Sequence, residues 1–495
     1  MMKSLRRILT LALAVLAALY ALLLIPDKDP EVPVAPPSTK IRPFYWNQDS
    51  TWDILEARFV SARQKGCDLI TILVQGAFHQ WRLRCDELAR SKYPPRAPVY
   101  AELEQMMFTV APWIGACPQF FQEYSSLVAE TRRLIKQQSV QWNFEERLSK
   151  ETIYRLLYGG RMAVEEVILQ LPENQKPPDL VRGVEEPAVT PAASLLGVEV
   201  RSGDILVSRG GAPTSALIAR GNDFAGNFSH IALAYVDPET HVLKLIESHI
   251  EKGVAVATPE EYIKDTKLRV MVLRLRSDLP ALVQDPMLPH KAAALALERA
   301  TARHIPYDFT MDYKSDDKLF CSEVASSAYG KFGIRLWMGI SHMTSSGLRT
   351  WLADFGVEHF ETQEPSDLEY DPQLRVVAEW RDTEVLRKDR FDNAVTEVML
   401  ERAELGERLV ARWYMLPVAR LAKSYSVVLN WFGTIGPIPE GMSATSALKH
   451  QWYAEEHAKI KNGLVNKAEA FRAERGYFPP YWWLLRFARD VVEGK

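Results

Sequence analysis

Cys321 opens the stretch "CSEVASSAYGKFG", and its setting decides what chemistry the chain can do. Cys321, Val324, Ala325, Ala328 and Phe332 recur at helical spacing, which predicts one continuous inward stripe. Gly333 stands where a left-handed cap would end the helix. Asp316 and Asp317 precede it and Glu323 lies in its first turn, where carboxylates meet the positive end of the dipole. A thiol at this helix start can be simple packing, because free cysteine is among the most buried residue types. It can also be a nucleophile. Exposed backbone N–H groups and a nearby imidazolium lower a thiol pKa from about 8.5 into the range ~3.5–7.5, and the same N–H groups can hold an oxyanion. The nucleophile reading requires a histidine within reach.

The strand-like "FSHIALAYVD" supplies His230. Alternation puts His230, Ala232 and Ala234 on one face and Ile231, Leu233 and Tyr235 on the other. The small alanines predict room for a helix end and a substrate beside the imidazole. The following "KLIESH" offers Glu247 and His249 on one face, and a hairpin would bring Glu247 beside His230 to fix its tautomer. His249 competes as the base, nearer the turn and with no evident orienting acid. A metal site of His230, His249 and Cys321 matches no familiar zinc spacing.

These residues need a scaffold, and the period of the sequence supplies one. "GDILVSR", "SHIALAYVD", "VLKLIESH", "GVAVATP" and "LRVMVLRLR" read as strands, with "DPETH" as a hairpin turn. A helix near residues 290–304 and the Cys321 helix follow. Strands and then packed helices predict an α+β domain over 197–350. Before it, 51–171 is helical in period, with Trp52, Leu55, Phe59 and Val60 at helical intervals. A proline-rich linker over 172–196 separates the two, and 351–495 returns to a helical pattern. The aromatic tail "GYFPPYWWLLRFARDVV" is either a helix packed on the catalytic core or an element at a membrane surface.

At 495 residues the chain exceeds one core. A formal charge of -3 gives no electrostatic reason for a nucleic-acid partner. Lys3, Arg6 and Arg7 precede the uncharged run Ile8–Ile25, which predicts an uncleaved anchor over 1–26, with the body held outside by a spacer over 27–50. The expected location is the inner membrane, single pass, with the catalytic domain on the periplasmic side. Cys67, Cys85 and Cys117 can contribute one disulfide there.

"RSGDILVSR", "FSHIALAYV", "LIESH", "IPYDFTMD" and "LFCSEVASSAY" occur in that order, and the ordered set resembles the permuted papain-like amidases of the YiiX/YaeF type, within the NlpC-like superfamily. The resemblance covers about 150 residues, from Val198 to about Leu348. It implies a circularly permuted papain-like fold, an antiparallel sheet or barrel packed on the cysteine helix. Cys321 would be the nucleophile, His230 the general base and acid, and Glu247 the orienting residue. Tyr307 and Asp308 match the family's "YD" and would line the substrate pocket or shape it; Asp204 matches its "GD" and would be structural. No metal or organic cofactor is called for. The implied activity is hydrolysis of an amide or ester through a thioester acyl-enzyme. The substrate is either a cell-wall peptide or a lipid or N-acyl group, and acyl transfer is a variant of the same chemistry. The contrasting reading is a non-catalytic envelope scaffold on an inactive hydrolase domain.

Overall fold

The computed structural model describes residues 50–183 and 185–495, together with scattered positions between 11 and 34. Five helices come first: α1 (Thr51–Lys65), α2 (Cys67–Arg90), α3 (Pro98–Ala116), α4 (Phe121–Ser139) and α5 (Arg147–Gln170). Their apolar faces meet around α5, which is buried along most of its length. Gly160 lets α3 close in, since a Cβ there would stand 2.9 Å from the Met107 sulfur. Cys67 and Cys117 are bonded across the ends of α2 and α3, while Cys85 and Cys321 are free and buried.

The centre is a seven-stranded antiparallel sheet. Its strands are β1 (Leu180–Arg182), β4 (Ile205–Gly210), β5 (His230–Val236), β6 (Leu243–His249), β7 (Gly253–Ala257), β8 (Lys267–Leu275) and β11 (Leu374–Trp380). The order is β1-β11-β8-β4-β5-β6-β7. Two small pairs lie outside it: β2 (Ala192–Leu195) with β3 (Val198–Arg201), and β9 (Ser341–His342) with β10 (Glu361–Thr362). All five strands expected from alternation are present, and β5 and β6 form the expected hairpin, with Ala232 opposite Glu247.

The sheet extends past the expected domain edges on both sides. β1 lies inside the expected 172–196 linker, and β11 lies inside the expected helical region 351–495. β11 pairs with the β8 edge and β1 pairs with β11 in turn, so each edge's open backbone groups gain a partner.

Between and after the strands come α6 (Pro213–Arg220), α7 (Pro259–Lys264), α8 (Pro280–Gln284), α9 (Leu288–Ala302), α10 (Cys321–Gly330) and α11 (Ser346–Asp354). Then come α12 (Thr383–Glu404), α13 (Leu416–Trp431), α14 (Ala444–Arg475) and α15 (Tyr481–Val492). α9 and α10 cover one sheet face through Ile231, Leu233, Val324 and Ala325. The β2–β3 pair and Tyr262 cover the other, over Ala232 and Ala234.

A buried ion network joins the three regions. Arg269 on β8 donates to Glu165 on α5 at 2.6 Å and to Asp389 on α12 at 2.5 Å. Arg161 on α5 bonds Glu369 at 2.5 Å and also Glu379 on β11. Arg390 lies 3.2 Å from Glu165. Burial pushes the Glu165 pKa up, but Arg269 and Arg390 outweigh it and bring it down to about 2.

The aromatic tail is a packed helix, as one of the two expectations had it, but its partner differs. It lies on α12 and α14 of the C-terminal region and meets α1 of the N-terminal helices, rather than lying on the catalytic core. Trp482 stacks on Trp52 at 5.5 Å, and Tyr481 donates to Glu397 at 2.9 Å. No helix among the described residues is long and apolar enough to cross a membrane. Most of the run expected to do so, Ile8–Ile25, lies outside the described residues or at its scattered positions.

Candidate active site

α10 begins at Cys321 because Phe320 is extended and Glu323 accepts the Phe320 N–H at 2.8 Å. Burial pushes the Glu323 carboxyl up to about 9. The apolar stripe of Val324, Ala325 and Ala328 seats the helix on the sheet, which fixes the thiol at the end of β5. Gly333 does have a positive φ of 78°, but it closes the turn after the helix, which ends at Gly330.

His230 is the first residue of β5, and its Nε2 lies 2.8 Å from Glu247 Oε2. That bond uses Nε2 as the donor and leaves Nδ1 with its lone pair. Glu247 is shared: its other oxygen lies 2.9 Å from His249 Nε2. His249 therefore does have an acid beside it, contrary to the sequence reading. Its Nε2 nonetheless lacks a well-aligned hydrogen bond. The turn behind it is held by Gly253 (φ 67°), where a Cβ would strike the Ile305 carbonyl at 2.2 Å.

The expected placement of the alanines is corrected. The cysteine helix packs on the Ile231 and Leu233 face, whereas Ala232 and Ala234 face the β2–β3 pair. His230 and Cys321 instead share a cavity at the end of the strand. Both line one polar chamber of about 490 Å³, with Ser248, His249, Lys267 and Tyr307. The Ile231 N–H, next to His230 in the chain, points at the Cys321 sulfur, as does the Ser322 N–H.

Burial sets the protonation states. It pushes the Cys321 thiol up to about 12, reinforced by Glu364. It also lowers the His230 pKa below 6.5, an effect that the Glu247 carboxylate partly offsets. Burial would raise Glu247, but the His230 hydrogen bond and the adjoining His249 ring hold it well below the usual carboxylate range. These shifts favour a neutral thiol and a neutral imidazole beside an ionised carboxylate. Groups in those states are suited to general-base proton transfer rather than to a preformed ion pair.

Tyr307 lines the chamber beside the thiol. Asp308 does not: it is buried and accepts from the Thr310 N–H, the Thr310 hydroxyl and the Asp312 N–H, so it shapes the loop. Asp204 is structural, held by Arg274 through two 2.8 Å bonds. Glu364 escaped the sequence reading. It is buried, one of its oxygens has no partner, and it lies in a second chamber that Cys321 also lines. No motif marks it, because only the fold brings it to the thiol.

His230, Glu247 and His249 could also hold a metal ion, their ligand atoms lying within 4.8 Å of one another. This set replaces the His230, His249 and Cys321 grouping considered from the sequence.

With this geometry in place, the comparisons are specific. Residues 199–378 match the family described as permuted papain-like amidase enzyme, YaeF/YiiX, C92 family. A solved structure, the metalloprotein yiiX from Escherichia coli O157:H7, is 20% identical, with a TM-score of 0.29. The match covers 37% of this chain and 98% of that one. No curated protein matches the chain.

Proposed function

We propose that residues 199–378, a permuted papain-like amidase segment, work as a cysteine hydrolase that cleaves an amide or ester through a thioester on Cys321. The observation that carries this reading is the shared chamber: a thiol at a helix start and a histidine tied to a buried carboxylate line one cavity. His230 Nδ1 takes the thiol proton as sulfur attacks the carbonyl carbon. The N–H groups at the start of α10 face the developing oxyanion. The C–N or C–O bond then breaks, and His230 returns the proton to the leaving group. Water, deprotonated by His230, adds to the thioester; the acid leaves and the thiol is restored.

The pH dependence follows from the burial of His230. The imidazole must be neutral to act, so the acid limb of kcat/KM lies below 6.5. Glu247 raises the His230 pKa, so Glu247→Gln moves that limb to still lower pH. It also cuts kcat/KM on the order of 10²–10⁴-fold by loosening the tautomer. A pH–rate profile of both proteins reads both effects, and an unmoved limb would remove Glu247 from its role.

The working place we propose is a membrane surface. Described positions between 11 and 23 are helical with exposed apolar side chains. Arg420 on α13 donates to the Leu22 and Ile25 carbonyls and pairs with Asp27. Around α13, Trp413, Leu421, Tyr425, Trp431 and Phe432 are exposed. Apolar and aromatic side chains flanked by arginine suit a headgroup boundary. The periplasmic side is part of the same proposal.

An electrophilic acyl-mimicking probe tests the hydrolase. It should label Cys321 in the folded chain and fail on His230→Ala; no labelling of the folded wild type would favour the non-catalytic scaffold. The His249 misalignment favours one competing reading, a cation held by His230, Glu247 and His249. Stoichiometric metal in purified protein, lost in His249→Ala, would support it. Full turnover by metal-free protein would support the thiol route.

A further inference from the structure

Cys321 and Tyr307 line two chambers, and the second differs in character from the first. The polar chamber holds His230, His249 and Lys267. The other, about 450 Å³, is walled mostly by apolar side chains, among them Phe309, Met311, Met343, Leu352, Phe355 and Val357. Its size falls within the ~300–1,000 Å³ of small-molecule sites.

Part of that wall lies outside residues 199–378. Pro437, Pro439, Met442, Ala447 and His450 close the chamber, from the segment that follows α13 into α14. The C-terminal region therefore completes a cavity at the nucleophile. The segment that does so leaves directly from the exposed aromatic surface of α13.

Thr214, Ser215, Glu251 and His450 add polar atoms to this wall, and Glu364 is its buried acid. It is 3% exposed, and its Oε2 has no hydrogen-bond partner. A buried polar atom with no partner costs free energy unless a ligand satisfies it. Burial and the neighbouring Asp367 push the Glu364 pKa well above the carboxylate range. That shift favours the protonated carboxyl, which has a hydrogen to donate into the chamber.

We propose that this chamber binds the alkyl chain of a long-chain acyl substrate, with the scissile carbonyl at Cys321 and Glu364 donating a hydrogen bond to the carbonyl oxygen. The leaving group, an amine or alcohol carrying a polar head, occupies the polar chamber. The inference rests on Cys321 being the nucleophile and commits that site to acyl substrates rather than to cell-wall peptides, whose polar backbone has few partners among these side chains.

The test is the chain-length dependence of Cys321 acylation in the full-length protein. The probes are p-nitrophenyl acetate, butyrate, hexanoate, octanoate and laurate, each kept below its micelle concentration. kcat/KM should rise about fourfold per added methylene, the fold-change of burying one CH₂, until the chamber is full. Ala447→Trp should move the preferred length towards shorter chains. Glu364→Ala should lower kcat for every ester, and Glu364→Gln, which keeps a donor, should restore most of it. A flat length profile with Cys321 still acylated would overturn the chamber and leave the hydrolase standing. A set of esters that never acylates Cys321 would overturn both.

Discussion

On the proposed mechanism, Cys321→Ala should lower ester and amide hydrolysis on the order of 10⁴–10⁶-fold, because it removes the atom on which the thioester would form. The fold survives. The thiol is one small group in a well-packed stripe whose other members, Val324, Ala325 and Ala328, stay in place. The stability cost is roughly 1 kcal/mol, the centre of ordinary point-mutant effects. His230→Ala should match the loss, since His230 lines the thiol's chamber and is oriented by an aligned hydrogen bond to Glu247. His249→Ala should keep most of the activity, because its bond to Glu247 is poorly aligned. Steady-state kinetics with a melting curve for each variant separates chemistry from folding. Equal losses in the two histidine variants would reassign the base.

The second large effect concerns the fold. Glu165→Ala should destabilise the protein by about 3–5 kcal/mol, the range for breaking a buried ion pair from one side. Glu165 is fully buried, and Arg269, Arg390 and Arg161 surround it. Removing it leaves buried guanidinium charge uncompensated at the place where α5, β8 and α12 meet. The pH sign follows from its depressed pKa. The Glu165 contribution is complete above the ordinary value of 4.5 and is lost as pH falls towards about 2. Lys331→Ala is the control: its pair with Asp316 is half-exposed and should change stability by less than about 1 kcal/mol. Denaturant titrations of the three proteins give the comparison. A Glu165→Ala midpoint equal to the wild type would show that the network holds nothing together.

Much of the central sheet was legible because β4 to β8 are short runs rich in Val, Ile and Leu with turn residues between them. β11 was not. "LRVVAEW" carries Arg375 and Glu379, which read as a solvated face, yet Glu379 is buried against Arg161. β1 is three residues among prolines, too short to show a period. Charge paired across distant segments cannot be recognised from local pattern, and the whole α5–β8–α12 network is of that kind.

The site was legible in part for the same reason. Cys321, His230 and Glu247 sit at element starts or on paired strands, where spacing carries geometry. That His230 and Cys321 share a chamber at the strand end, rather than across the alanine face, depends on which sheet face α10 covers. Both faces are apolar, so alternation could not choose between them. Asp308 looked able to line the pocket because a carboxylate next to Tyr307 is ambiguous until its loop is seen closing on it. Glu364 and the wall from Pro437 to His450 lie beyond every quoted motif and reach the thiol only through tertiary packing.

The covalent step is the most direct test of the account. Full-length protein is mixed with p-nitrophenyl acetate, quenched in acid during turnover and weighed intact, then digested to place the added mass. The account predicts a single acetyl group on Cys321, absent from Cys321→Ala and from His230→Ala. Continued turnover with an unmodified Cys321, or with the acetyl group on another residue, would contradict it.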